Sequence, residues 1–194
     1  MREICAFDFD GTLTTRDTLL AFIRYAKGTH VFLMGFLRHA HLLVLMKLGL
    51  YPNWKAKQRV FSYFFRGMPL EVFDTLCRQF AADNRHLLRP EGVKTIRQDL
   101  ADSAEVVIVS ASIDNWVQPF FPDVKVIGTQ IEVKNDRLTG RFLTANCYGQ
   151  EKVRRLLALY PDRQEYRLTA YGDSRGDKEL LAFADEAHYQ PFRL

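Results

Sequence analysis

Two aspartates two residues apart, Asp8 and Asp10, follow the short apolar run Ile4-Cys5-Ala6-Phe7 and precede Gly11 and Thr12. The run reads as a buried strand of a parallel sheet. Side chains two residues apart on an extended chain leave the same side, so both carboxylates gather at the C-terminal edge of that strand, and Gly11 lets the backbone turn sharply beyond them. Two carboxylates this close repel, and one takes up a proton unless a cation lies between them. A hard divalent cation with oxygen ligands, Mg²⁺ above all, resolves the conflict. The chemistry to expect is metal-assisted attack on an anionic substrate, a phosphate ester. Taken alone, the stretch also reads as an ordinary strand-to-turn junction, where Asp and Gly are common.

Hydrolysis of a phosphomonoester needs a nucleophile, an acid for the leaving oxygen, a metal, and positive groups around the phosphoryl oxygens. Asp8 can attack phosphorus and form an aspartyl-phosphate. Asp10 can protonate the leaving group and then deprotonate the attacking water. Asp173, in Gly172-Asp173-Ser174, can complete a Mg²⁺ site with Asp8 and the backbone carbonyl of Asp10. The hydroxyls of Thr12 and Ser110 and the amine of Lys152 can hold the phosphate, and Asp177 can orient metal waters or Lys152. Each has a plainer reading: Ser110 as a helix N-cap, Lys152 as a surface lysine, Gly172 to Asp177 as a polar loop. Their shared position, each cluster just after an apolar run, is what the plainer readings leave unexplained.

Those runs define the elements that must carry the site. Val106 to Val109 is continuous and β-branched and ends at Ser110-Ala111-Ser112, while Arg167 to Tyr171 ends at Gly172-Asp173. Val124 to Ile127 is a further strand, Gln130 to Val133 and Leu138 to Phe142 flank a hairpin turn at Asn135-Asp136, and Glu186 to Gln190 is the last strand. Helices are expected over Val93 to Ala101, Gln150 to Tyr160 and Lys178 to Asp185. Strands alternating with helices imply an α/β fold with a parallel, doubly wound sheet, whose ligands sit beyond the carboxyl ends of the strands.

Residues 14–89 form an all-helical insert between the first strand and the remainder, so the core comprises 1–13 and 90–194. Thr14 and Thr15 offer N-cap oxygens, Asp17 sits in the first turn, and Leu19, Leu20, Phe22, Ile23 and Ala26 give an apolar face ending at Lys27-Gly28. Val31 to Leu50 is apolar around most of its circumference and matches the ~20 residues of a bilayer span. Arg38, His39, His41 and Lys47 lie inside it, which disfavours a span. Two readings remain: a helix buried in the insert, or two short helices bent near Gly35, against an interfacial helix lying on lipid with its basic residues snorkelling. Lys27, Arg38, Lys47, Lys55 and Lys57 favour an anionic membrane surface. Two more amphipathic helices follow, from Trp54 to Phe65 and from Pro69 to about Arg89.

A chain of 194 residues with a net charge of +4 suits one core with an insert. The mild basicity fits an anionic substrate or membrane surface, and no basic run interleaved with aromatics points to nucleic acid. Cys5, Cys77 and Cys147 form neither a disulfide framework nor a zinc pattern, so a reducing cytoplasmic setting is expected. The early start of the first strand leaves no room for a signal peptide.

Asp8-Phe9-Asp10-Gly11-Thr12 resembles motif I of the haloacid dehalogenase (HAD) superfamily. Ser110 falls where that superfamily has its motif II hydroxyl, Lys152 where it has its motif III lysine, and Gly172-Asp173-Ser174 through Asp177 where it has motif IV. The resemblance implies a Rossmann-like three-layer core with a helical cap inserted after the first strand, as in subfamily IB, which contains phosphoserine phosphatase. Ile127-Gly128-Thr129-Gln130 and Arg137 to Phe142 also resemble that group. In phosphoserine phosphatases, a cap acid shortly after motif I and a cap arginine bind the amino acid; the matching positions are Asp17, where Glu is usual, and Arg59. Ser110-Ala111-Ser112 stands where phosphoserine phosphatases have Ser-Gly-Gly. Phe22-Ile23-Arg24-Tyr25, the apolar cap segment and Cys147-Tyr148-Gly149-Gln150-Glu151-Lys152-Val153 resemble the phosphatidylglycerophosphatase C group instead. That likeness implies a lipid phosphate, reached at the inner face of a membrane through 31–50, with Mg²⁺ as cofactor. A small soluble ester such as phosphoserine is the rival substrate. A catalytically silent membrane or partner-binding module is the rival function, against which the intact Asp8, Asp10 and Asp173 argue.

Overall fold

The computed structural model describes residues 2–193. Strand β1 (Arg2–Phe7) is followed by a turn over Phe9–Leu13 with non-helical backbone at Asp10 and Gly11, then by helices α1 (Thr18–Lys47), α2 (Asn53–Phe65) and α3 (Leu70–Asp83). Helix α4 (Pro90–Ala101) starts on Pro90, whose missing N–H would have had no partner in a first turn. After it come β2 (Glu105–Ile113), the short α5 (Asp114–Val117), β3 (Lys125–Thr129), the hairpin β4 (Ile131–Lys134) and β5 (Arg137–Phe142), α6 (Gln150–Leu159), β6 (Tyr166–Gly172), α7 (Lys178–Phe183) and β7 (Glu186–Tyr189). Asn135 and Asp136 both adopt positive φ, as a two-residue hairpin turn requires.

Five strands form one parallel sheet in the order β3-β2-β1-β6-β7. Alternation along the strands feeds two cores. Ile4, Ala6, Val107, Val109, Leu168 and Ala170 face α6 and α7, while Cys5, Phe7, Val106 and Ile108 face α4 and the helical insert. β1 lies at the centre with β2 and β6 on either side, so Asp8 and Asp173, just past their strands, and Ser110, within β2, arrive side by side at the carboxyl edge of the sheet.

The insert is tied to the core at a narrow neck. Thr14 bridges Leu88 in antiparallel fashion, Arg89 N donates to Leu13 O at 2.8 Å, and Thr15 N donates to Leu87 O at 2.9 Å. Phe22 of α1 packs against Phe65, Phe73, Phe80 and Trp116, which joins the insert to α5 in one aromatic cluster.

Several local expectations are corrected. Asp17, not Thr14 or Thr15, caps α1, its Oδ1 accepting from Leu19 N at 2.9 Å and Leu20 N at 3.2 Å; Thr14 is occupied at the neck. β2 does not stop at Ser110 but runs on to Ile113. Gly28, at φ +79°, does interrupt the helix that begins at Thr18, whereas Gly35 does not bend it. Gly35 marks a close approach, since a Cβ there would lie 2.2 Å from the Phe64 ring. Val31 to Leu50 is not buried in the insert: only its inner side is covered, and its other side is open to solvent.

Candidate active site

Asp8 continues straight from β1, its N–H donating to Tyr171 O of β6 at 2.8 Å. Its Oδ1 accepts from Lys152 Nζ at 2.6 Å and its Oδ2 from the Thr12 hydroxyl at 3.1 Å. Thr12 also approaches Asp173 Oδ1 at 3.3 Å, so its hydroxyl lies between two carboxylates instead of facing the cavity. Lys152 rises from the first turn of α6 and bonds Asp177 Oδ1 at 2.6 Å as well as Asp8. Asp177 Oδ2 in turn accepts from the backbone N–H groups of Asp173 (3.2 Å) and Ser174 (3.0 Å), fixing the loop that carries Asp173.

These groups are buried, and burial sets their proton affinities. Loss of water raises the Asp8 pKa to about 7; Asp177 and Asp10 push the same way, and Lys152 only partly offsets them. Burial alone would lower Lys152, but Asp8 and Asp177 overcome it and hold the amine above its ordinary value. Burial alone would raise Asp177, but Lys152 and Ser174 hold it below the usual carboxylate range.

Asp10 has a separate set of partners. Gly11, at φ +84°, turns the chain directly after it, and the Asp10 carboxylate accepts from Thr18 N at 2.7 Å, Thr18 Oγ1 at 2.6 Å and the Ser112 hydroxyl. Trp116 Nε1 donates to Thr18 Oγ1 at 3.1 Å, which anchors that hydroxyl. Burial, and then Asp17, raise the Asp10 pKa against the hydrogen bonds from Ser112 and Thr18. Asp8 and Asp10 line one cavity, but their carboxylates have different neighbours. Ser112 and Thr18 were not singled out in the sequence. Ser112 carried a signal, because it lies two residues beyond Ser110 on an extended strand and so on the same side. Ser110 is buried and accepts from Ser112 N at 3.0 Å.

The acids can hold a cation. Asp8, Asp173 and Asp177 each bring a carboxylate oxygen within 4.8 Å of the others, and all three are buried. Lys152 and Arg193 are bonded to this trio, Arg193 through Asp173. With Asp10 beside them, four acids gather in one buried place, a charge pattern suited to a divalent ion with oxygen ligands. Gly11 supports the arrangement: a Cβ there would come within 2.4 Å of Asp173 Oδ2. The Asp10 side chain is not part of this trio.

Above the acids is a cavity of about 790 Å³. Asp8, Asp10, Ser110 and Lys152 form its floor, and Phe36, Leu43 and Met46 of α1 with Ala56 and Val60 of α2 form much of its wall. Asp17 lines it while also capping α1. Arg59 does not reach it; it lies with Arg66 and Arg141 in a second, polar depression. The cause is helix phase. Ala56, Val60, Phe61 and Phe64 mark the inward side of α2, and position 59 falls opposite. Lys57 shares the inward side and is the cation of α2 that reaches the cavity, its Nζ donating to Ala111 O at 2.7 Å, while Arg16 and Lys47 line it from the approach to α1 and its last turn. Burial lowers its pKa, opposed by Asp10 and Asp17. Reading α2 by its apolar stripe would have selected Lys57 over Arg59.

A family model for haloacid dehalogenase-like hydrolases matches residues 5–182. Protein CicA of Caulobacter vibrioides (strain NA1000 / CB15N) is 38% identical over 197 residues, covering 98% of this chain and 86% of CicA. Among solved structures, a protein of unknown function from Bordetella pertussis Tohama I superposes with a TM-score of 0.84 at 20% identity, over 96% of this chain and 89% of that one. A phosphoserine phosphohydrolase-like protein from Francisella tularensis superposes with a TM-score of 0.67 at 18% identity, over 96% and 86%. At such identities these two establish a shared fold.

Proposed function

The chain belongs to the haloacid dehalogenase-like hydrolase family, and from that premise we propose that it is a Mg²⁺-dependent phosphatase acting through an aspartyl-phosphate on Asp8, with a lipid phosphate such as phosphatidylglycerophosphate as substrate. The observation that carries the reaction is the buried floor: Asp8 is held by Lys152 and Thr12 at the end of β1, and Asp10 stands on the same cavity with a raised proton affinity.

An Asp8 carboxylate oxygen attacks phosphorus as the bond from phosphorus to the leaving oxygen breaks, and Asp10 gives that oxygen its proton. Water then attacks the phosphoryl group, Asp10 takes the water's proton, and breakage of the aspartyl-phosphate bond restores Asp8. Ser112 and Thr18 aim the Asp10 carboxylate, which burial makes a better proton carrier than a solvated aspartate. Lys152 and Ser110 face the phosphoryl oxygens. Mg²⁺, held by Asp8, Asp173 and the Asp10 carbonyl with Asp177 beside them, would supply further charge stabilisation at those oxygens.

The substrate class rests on the wall. Phe36, Leu43, Met46, Ala56 and Val60 give an apolar lining beyond the reacting centre, which an acyl chain would cover and a small polar ester would leave bare. Lys57, on the same wall, can meet a second anionic group of the substrate. Asp17 on the cavity lining supports the rival reading, an amino-acid phosphate whose ammonium it would bind. The buried, unpaired Cys5, Cys77 and Cys147 fit a reducing cytoplasmic setting.

The test is phosphate release with Mg²⁺ from phosphatidylglycerophosphate in detergent and from phosphoserine, wild type beside Asp8→Asn. The lipid phosphate should be the better substrate, and Asp8→Asn should lose about 10⁴-fold or more in kcat. Appreciable turnover by Asp8→Asn would refute the nucleophile; release from phosphoserine alone would refute the lipid.

A further inference from the structure

Beyond Gly28, helix α1 is apolar on two sides with different surroundings. The inner side is covered: Gly35 touches the Phe64 ring, Phe36 packs at 6.3 Å from Phe64, and Leu43 lines the cavity. The outer side carries Leu33, Met34, Leu37, Val44 and Leu48, exposed by 57%, 71%, 78%, 57% and 66%. One exposed leucine needs no explanation, but a contiguous patch marks an interaction site. Positions 33, 37, 44 and 48 repeat at the helical spacing that stacks side chains into one stripe. Leu50 and Trp54, 72% and 44% exposed, extend the patch into the start of α2.

Charge identifies what covers it. From Thr18 to Leu70 there is no Asp or Glu, while there are eight Lys or Arg and three His. The rest of the chain holds all 23 acids against 19 Lys and Arg, so the basic excess of this protein is concentrated in α1, α2 and the turn after them. At 100° per residue, Arg38 and Lys47 flank the stripe on opposite sides. A second copy is a poor occupant, because two such faces would set eight cations against eight with no acid between them. A membrane crossing is also a poor fit: Leu19, Phe22 and Ile23 anchor the first part of α1 in the core, and its inner side forms the cavity wall.

We infer that residues 29–48, the later part of α1 with its C-cap Leu48, lie in the plane of an anionic lipid bilayer, with the outer stripe submerged and the basic side chains of α1 and α2 among the headgroups. An apolar face bordered by long basic residues is the pattern of an interfacial helix. The helix then touches lipid with one side and the catalytic cavity with the other. This docking does not depend on the hydrolytic reading, and substrate-free vesicles test it separately.

Trp116 is fully buried and Trp54 is not, so a blue shift of tryptophan fluorescence on adding vesicles reports Trp54. The full chain should bind phosphatidylcholine vesicles containing phosphatidylglycerol, measured by that shift and by flotation, and bind pure phosphatidylcholine more weakly by tenfold or more. L37E/V44E, altering two side chains outside the cavity and the core, should weaken binding about tenfold or more while keeping the wild-type circular dichroism and turnover of p-nitrophenyl phosphate. Binding unchanged in L37E/V44E, equal binding to both vesicle types, or a lipid-free dimer that L37E/V44E dissolves would each overturn the inference.

Discussion

The floor and the wall of the cavity are built on opposite terms. On the floor, Asp8, Asp10, Lys152 and Asp177 are all bonded to named partners, and backbone geometry at adjacent strand ends leaves little freedom. The wall is built from α1 and α2 of an insert joined to the core at a short neck, and Lys57 projects from its apolar surface. The floor groups are held by polar bonds, whereas the wall side chains are held by apolar packing, with Ala56 and Val60 buried. In the function proposed above, reaction type rests on the first and substrate choice on the second.

Lys152→Ala is the change with the largest expected effect on stability, because it removes a cation bonded to two buried carboxylates. Taking one partner from a buried ion pair costs about 3–5 kcal/mol, and here Asp8 and Asp177 are both left facing unbalanced charge. Urea unfolding without divalent ions should show that loss, and Mg²⁺ should recover part of it by neutralising the same acids. A variant as stable as wild type in the absence of metal would mean that Asp8 and Asp177 do not need Lys152.

Lys57→Met is the matching change in the wall. Its amine is desolvated and its hydrogen bond is to a single carbonyl, Ala111 O, so replacement by an apolar side chain of similar length should leave stability within about 1 kcal/mol. KM for a substrate with a second anionic group should rise about tenfold, the value of one charge-assisted contact, while kcat and the hydrolysis of p-nitrophenyl phosphate stay near wild type. A fall in kcat on both substrates would move Lys57 from the wall to the floor.

How much of this could be read in the sequence follows the same division. Asp8, Ser110, Lys152 and Asp173 were legible because each follows an apolar run or opens a helix, and a parallel sheet delivers such residues to one edge whatever their distance along the chain. The separate partners of Asp10 were not, because they depend on the turn that Gly11 makes at φ +84° and on a hydroxyl, Thr18, from the next helix. In the insert, the helices were legible from their periodicity, and the rotation of α2 was carried only by the phase of its apolar stripe. Two positions along α2 separate Lys57 in the cavity from Arg59 outside it. The outer stripe of α1 was hidden, since apolar residues around most of a helix say nothing of which side the rest of the protein covers.

The smallest expected effect distinguishes the floor by its protons. The Asp8 pKa is raised from 3.8 to about 7 in the metal-free fold. Between those values the folded protein binds more protons than the unfolded chain, so this group's contribution to stability is full below pH 4 and is lost as pH rises through 7. Asp10, also raised, acts in the same direction. Metal-free protein should therefore melt lower at pH 8 than at pH 6, by on the order of 3 °C for each kcal/mol lost. Mg²⁺ binds the ionised acids, so its stabilisation should be larger at pH 8 and should flatten or invert the slope. In Asp8→Asn the metal-free slope should shrink, because one of the two raised carboxylates is gone. Lys57→Met should keep most of it. An unchanged slope in Asp8→Asn would assign the titration to another carboxylate and leave Asp8 ionised in the fold.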